Sequence, residues 1–364
     1  MGKGREVNSL FSVCIIFLGQ GTLDGLKIKY YDQGGNMQTK GKIAALAEGA
    51  LIAALTVVLV LSGYFVPPLQ LLTSIVWTVP IIVLIVRRDF RVGLMATLVA
   101  GLVISFFTGP VNALLLFSQF ASLGLVYGYL FKVNARPGQK VVIGAIVSLT
   151  SLLFGFIIIF MLTGIHMGGI FQQLDEMFNY TLEFYKQTGM LEHMARQGMN
   201  AEEIKITLAK TINLVKVLMP GIFISASFFA AFINYIVAEK VLKRLELRKG
   251  ELPPFRFWQL PWSANWGVIA GLGLWQLGDY YGFDFASKIG INILYIYLPL
   301  LVGNGLAATS YILYRFQFNN ILKWGLIAIT LINLPIAIIF FIIFGLFDPF
   351  FSYRRYQPSV DQGE

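Results

Sequence analysis

The sequence predicts an all-α, polytopic transmembrane helix bundle of about nine spans, with eight as the alternative count. Three observations carry this. Of 364 residues, 57% are hydrophobic and only 13% are charged, whereas a soluble domain carries about 25% charged residues. Mean hydropathy is +0.71. Apolar runs recur along the chain, each close to the about 20 residues that cross a bilayer core as a helix. A chain of this composition cannot cover its apolar surface with polar groups in water.

Residues 1–36 differ in character from the rest of the chain. Their apolar run, Leu10 to Leu18, is too short to span, and no small-x-small cleavage site comes after it. Met37 opens a more natural start, and Gln33-Gly34-Gly35 can be encoded with a ribosome-binding sequence just upstream. Residues 1–36 are therefore expected to be a mis-assigned start or a disordered extension. The spans are expected at about 43–65, 69–86, 92–108, 111–131, 141–164, 207–237, 264–281, 288–314 and 324–347. The seventh is the weakest, being short and glycine-rich. Residues 37–240 then form a six-helix membrane unit, 241–263 a basic loop, 264–347 a three-helix extension, and 348–364 a polar tail.

Basic residues set the orientation. Lys40 and Lys42 precede the first span. Arg87, Arg88 and Arg91 fill the second loop, Lys132, Arg136 and Lys140 the fourth, and Lys240, Lys243, Arg244, Arg248, Lys249 and Arg256 come after the sixth span. The alternating loops, Gly63–Gln70 and Thr108–Pro110, carry no charge. Positive charge stays inside, so the amino terminus is expected in the cytoplasm. The +9 net charge is thereby used for topology and implies no nucleic-acid partner.

The segment 165–210 is then outside. Ile170, Leu174, Phe178, Leu182 and Tyr185 recur at helical spacing, with Gln172, Asp175, Glu176 and Glu183 between them. This predicts an amphipathic helix ending near Gly189, either resting on the outer leaflet or closing over an outward-facing pocket. Asn200-Ala201-Glu202-Glu203 resembles a capping box opening a long sixth helix that bends at Pro220.

The chemistry of the side chains excludes more than it assigns. One cysteine (Cys14) and two histidines (His166, His193) cannot build a disulfide framework, a zinc ribbon or an iron–sulfur site. There is no P-loop, no HExxH and no G-x-S-x-G. Neither histidine lies in a span, and catalysis usually needs a histidine or carboxylate pair for proton transfer, so the chain is not expected to be an enzyme or to hold a cofactor. Seven of ten methionines lie between Met161 and Met219, alongside both histidines. They could supply soft ligands to a copper-like ion, or simply adaptable packing; no metal site is assigned.

Ala45, Gly49 and Ala53 form a stripe of small residues on the first span, which suits either internal packing or docking of another membrane subunit. Glu48 beside them reads as an anchor at headgroup level. Pro299 with Gly303-Asn304-Gly305 is expected to interrupt the eighth helix, and Asn333-x-Pro335 the ninth. Broken helices free backbone groups that bind ligands at mid-depth. Asn112, Gln119, Asn304 and Asn333 are thus the candidate substrate-binding residues, the competing role being to staple helices together. Trp258, Trp262, Trp266, Tyr280 and Tyr281 read as aromatic anchors at the membrane surfaces.

Several of these features resemble one family. Ala44–Leu61, Pro67-Pro68, Pro80, Arg87-Arg88, Gly93, Gly109-Pro110 and Gly124-x-x-x-Gly128 before Lys132 resemble the YybS-like family, widespread bacterial membrane proteins of unknown function. So do Gly303-Asn304-Gly305-Leu306-Ala307 and Gly345-Leu346-Phe347-Asp348-Pro349. That family is in turn similar to the substrate-binding S components of energy-coupling factor transporters, which capture a micronutrient and work with a coupling subunit and two ATPases. The resemblance implies a bacterial inner-membrane location, a six-helix S-component-like unit, and coupling-subunit contact at Ala45, Gly49 and Ala53. This chain adds three further helices that the transporter unit lacks. Two functions fit: capture or transport of a small molecule with partner subunits, or a non-transporting scaffold or regulator that binds another envelope or signalling protein. Leucine at Asn304 or Asn333 is expected to abolish the first and spare the second.

Overall fold

The computed structural model describes residues 37–164, 167–190, 201–247, 254–351 and 354. The expected mis-assigned start at 1–36, Cys14, both histidines, Asn200 and the tail beyond Arg354 lie outside the described residues. All regular structure among the described residues is helical. Seven helical segments are long and apolar enough to cross a membrane: Ile43–Phe65, Pro67–Arg87, Phe90–Thr108, Pro110–Lys132, Pro137–Thr163, Ile206–Arg244 and Asp284–Arg315. The protein is a polytopic helical membrane protein.

Two expected spans differ. The seventh is a helix of 16 residues, Asn265–Tyr280, which at 1.5 Å per residue reaches about 24 Å and falls short of the bilayer core. The ninth is a pair of helices bent by 110° at Asn333. Pro335 has no N–H to donate to the Leu331 carbonyl, and its ring clashes there, so the helix breaks just upstream. If the pair is one broken span, the total is eight.

The described chain divides into two compact units, Met1–Ile165 with Ala226–Gly250, and His166–Ser225 with Glu251–Glu364. The first contains α1 (Met37–Phe65), α2 (Pro67–Val76), α3 (Val79–Arg87), α4 (Phe90–Thr108), α5 (Pro110–Lys132), α6 (Pro137–Thr163) and the end of α8 (Ala201–Arg244). α3 is apolar all round and every residue from Val79 to Ile85 is buried; it packs against α1, α4 and α5. Tight turns keep neighbours antiparallel. Gly109 joins α4 to α5 at φ +81°, a region other residues avoid, and Pro110 takes the first helical position, where no N–H is needed.

Charges tie one end of this unit. Glu48, only 7% exposed, is gripped by Arg87 Nη1 at 3.2 Å and Arg88 Nε at 2.6 Å. Lys132 Nζ donates to Asp89 Oδ1 at 2.5 Å and to the Arg88 carbonyl at 2.7 Å. The Lys132 hydrogen bond and charge hold the Asp89 carboxyl below its usual 3.8. A lowered carboxyl stabilises the fold above the ordinary carboxylate range and ceases to as pH falls through the lowered value. Glu48 is thus an internal ion-pair anchor joining α1 to the α3–α4 turn.

The small-residue stripe is turned inward as well. Gly49 and Ala53 are buried, with Val92 Cγ1 of α4 at 3.4 Å from where a Gly49 Cβ would stand. Small residues here let α1 and α4 approach, the internal packing that the stripe also allowed; Ala45 is half-buried beside them.

The second unit contains α7 (Met167–Gln187), the start of α8, α9 (Asn265–Tyr280), α10 (Asp284–Arg315), α11 (Asn320–Ile332) and α12 (Leu334–Phe347). The five apolar positions expected on one face of α7 are all half-buried, while Gln172, Asp175, Glu176 and Glu183 are exposed. Lys216 Nζ of α8 holds Asp175 at 2.6 Å. α10 is continuous through Pro299 and Gly303-Asn304-Gly305, which corrects the expected interruption of the eighth helix. Gly305, unlike Gly303, serves packing: a Cβ on Gly305 would collide with the Phe341 carbonyl, and one on Gly345 of α12 with that of Leu301. The missing side chains let α10 and α12 cross backbone to backbone.

Pro220 sits inside α8 and removes one helical hydrogen bond. Asn292 of α10 meets the disturbed turn. Its Oδ1 accepts the Gly221 N–H at 2.7 Å and its Nδ2 donates to the Val217 carbonyl at 2.9 Å. Those are the two groups that a regular helix pairs with one another. Leaving a buried polar group unmet costs about 1–3 kcal/mol. Asn292→Leu is therefore expected to lower the thermal midpoint of the full-length protein in detergent by several degrees; an unchanged midpoint would mean that the amide contributes nothing.

Candidate functional site

The first unit has a half-open cavity of about 710 Å³ whose wall is mostly apolar, formed by Leu71, Ile75, Trp77, Leu123, Leu152 and Ile233 among others, with Leu71 and Ile233 exposed at its edge. Ligand sites typically run from about 300 to 1,000 Å³, with a few polar groups set in an apolar wall. Here the polar groups are Gln70, Ser74, Gln119, Ser148, Ser151, Ser227 and Asn234. None carries a charge. The central residues of the spans Pro67–Arg87, Pro110–Lys132 and Pro137–Thr163 are Trp77, Ala121 and Thr150, and Trp77, Gln119, Leu123, Ser148, Ser151 and Leu152 of the lining lie within two residues of those centres. The cavity thus lies near mid-depth of the helices that build it.

A span that lacks one helical hydrogen bond forms one wall. Pro80 cannot donate to the Val76 carbonyl, and α2 ends at Val76, leaving Trp77 and Thr78 as a turn before α3. Asn234 of α8 holds this junction. Its Oδ1 accepts the fully buried Thr78 hydroxyl at 2.8 Å, and its Nδ2 donates to the Ala230 carbonyl at 2.8 Å and the Ser74 carbonyl at 3.4 Å. The adjoining wall is closed by Ser122 of α5 and Ser151 of α6, whose hydroxyls lie 2.6 Å apart. Ser227 is 2% exposed and its hydroxyl has no hydrogen-bond partner among the described residues. An unmet hydroxyl on an intramembrane cavity wall is a group waiting for a ligand or a water.

Of the four candidate binding residues, Gln119 alone lines this cavity. Asn112 lies in the first turn of α5, exposed, and its Nδ2 donates to the Thr108 carbonyl at 2.9 Å and to Tyr64 Oη at 3.1 Å. Asn304 and Asn333 belong to the second unit. Asn304 is 5% exposed and fully engaged. Its Nδ2 donates to the Gly345 carbonyl at 2.8 Å, and its Oδ1 accepts the Leu260 N–H at 3.3 Å and Arg354 Nη2 at 3.2 Å. Arg354 also forms a buried ion pair with Asp348 and donates to the Arg256 carbonyl at 3.1 Å. Asn304 is a staple here, so leucine at this position would damage the unit whatever its function and does not separate a transporter from a scaffold. Asn333 is exposed at the α11–α12 break.

Sequence reasoning passed over Asn234, Ser227 and Trp77. Asn234 had a signal: it is an amide near the middle of the sixth span, where polar groups are costly. Ser227 and Trp77 had none, because serine and tryptophan are ordinary in apolar helices.

The class defined by this architecture is the polytopic helical membrane protein with an intramembrane cavity. The chain belongs to the DUF2232 family of predicted membrane proteins, whose sequence profile matches residues 54–349. It is 26% identical over 224 residues to the uncharacterized protein YybS of Bacillus subtilis (strain 168), covering 60% of this chain and 69% of that protein. No solved structure matches it.

The Thr78–Asn234 bond gives a direct test of the cavity wall. Thr78→Val and Asn234→Leu are each expected to lower stability, and a double-mutant cycle should show a coupling of about 0.5–3 kcal/mol. Strict additivity in detergent unfolding would show that the two side chains do not act together.

Proposed function

We propose that the first unit binds a small, uncharged, largely apolar molecule of micronutrient size at mid-depth of a bacterial inner membrane. In this reading the protein captures or transports that molecule with partner subunits, and its amino terminus lies in the cytoplasm. The cavity is the observation that carries the reading. Its wall offers hydroxyls and amides without a charged group, so it would match a neutral heterocycle better than an ion. Trp77 provides a flat face against which such a ring would stack, and Gln119, Ser148 and Ser227 offer hydrogen-bonding edges. The resemblance to S components supports capture, and the lack of a P-loop supports energy from another chain. Partners on the S-component pattern would be a coupling subunit and ATPases.

Trp77 is the sole tryptophan of the first unit; the other five lie in the second. A variant retaining only Trp77 is therefore a built-in reporter. Uncharged heterocycles screened against the full-length protein in lipid nanodiscs are expected to include one that raises the thermal midpoint and changes Trp77 fluorescence. Losing one hydrogen bond to a ligand costs about 1–3 kcal/mol, so Gln119→Leu and Ser227→Ala should each weaken binding roughly tenfold. Binding that survives both substitutions unchanged, or no responding compound, would contradict the reading.

A further inference from the structure

The second unit has a separate recess, of about 690 Å³, at the end of α10. It is lined by Phe257, Tyr311, Tyr314, Arg315 and Gln317. Unlike the cavity of the first unit, it has fixed positive charge at its edge. Beside the lining residue Tyr314, the guanidinium carbon of Arg256 lies over the ring, 3.6 Å from its centroid, and the buried Nε has no hydrogen-bond partner among the described residues. Stacking fixes the plane of a guanidinium while leaving its N–H edges free to meet an acceptor. Arg315 is exposed. Neither arginine is ion-paired among the described residues, whereas the charge of Arg354 nearby is matched by Asp348.

The position of the recess says what kind of anion reaches it. α10 is one of the membrane-spanning helices, and the recess begins in its last turn. Tyr314 and Phe316 are strongly exposed there, and Phe257 packs edge-on against Tyr311 at 5.8 Å. Aromatic rings of this kind sit at the level of lipid headgroups, and arginines beside them meet the phosphates of that layer.

We propose that this recess is a binding site for the phosphate of an anionic phospholipid headgroup. Arg256 and Arg315 hold the phosphate oxygens. Tyr311, Tyr314 and Gln317 offer hydrogen bonds to the remaining headgroup, and the exposed aromatic rings lie along the first carbons of the chains. A free phosphate shares the same chemistry, so the test must separate the two sources.

Full-length protein is purified in detergent with equimolar phosphatidylglycerol and phosphatidylcholine, and retained lipid is read by native mass spectrometry. The wild type is expected to keep phosphatidylglycerol in preference. An arginine near an anionic surface contributes on the order of fivefold, so Arg256→Gln with Arg315→Gln should cost that preference at least tenfold. For Arg315→Gln alone, an exposed side chain, the melting point in phosphatidylcholine should be unchanged. If the double variant does not survive purification, Arg315→Gln, at an exposed side chain, carries the test with a loss of about fivefold. Equal retention of both lipids by the wild type would overturn the site, as would an unaltered preference in the variants. Displacement of the bound lipid by millimolar inorganic phosphate would overturn the lipid as its occupant.

Discussion

Inside a bilayer there is no water to meet a backbone N–H or carbonyl, so any interruption of a helix must be repaired by another part of the protein. Much of this structure is arranged around that constraint, and the repairs are made by asparagine. Asn234 holds the α2–α3 junction upstream of Pro80. Asn292 bridges the two backbone groups next to Pro220. Asn304 caps the Gly345 carbonyl where α10 and α12 cross. A primary amide suits this task because it donates and accepts at once, and so replaces both halves of a lost peptide hydrogen bond.

The same constraint acts at the wall of the cavity. The α2–α3 junction at Trp77–Thr78 keeps helical dihedrals and lacks only the bond that Pro80 cannot donate, and the space beside it is bounded by side chains of α5, α6 and α8. The amides and hydroxyls there do two jobs. Asn234 and Ser151 are engaged in holding helices, while Ser227 is left without a partner among the described residues. The absence of charge on this wall contrasts with the ion pairs of Glu48 and Lys132 at one end of the same unit. Charges are kept to the helix ends, where solvation is available, and neutral polar groups occupy the middle.

Sequence legibility tracked the strength of the physical signal. Spans with long apolar runs were readable, and so was the α7 face, since a 3.6-residue period survives without tertiary knowledge. The continuity of α10 was not readable. Pro299 and the two glycines look like breakers, and only the crossing with α12 shows that Gly305 is needed for close approach. The same limit applied to Gly49 and Ala53, because a small-residue stripe does not say which helix it meets. At the site, Gln119 was identifiable as an intramembrane amide. Asn304 carried the same signal, yet it is consumed by a buried network with Arg354 and Asp348 that spans residues far apart in the chain.

The central claim is that a ligand-accessible cavity with neutral polar walls lies at mid-depth in the first unit. Cysteine accessibility tests it most directly. The sequence has one cysteine, so Cys14→Ser gives a clean background. Ser227→Cys and Ser74→Cys in native membranes should react with a small uncharged maleimide far faster than Ala100→Cys, a buried position of α4 away from the cavity. Equal, negligible labelling at all three positions would contradict the account.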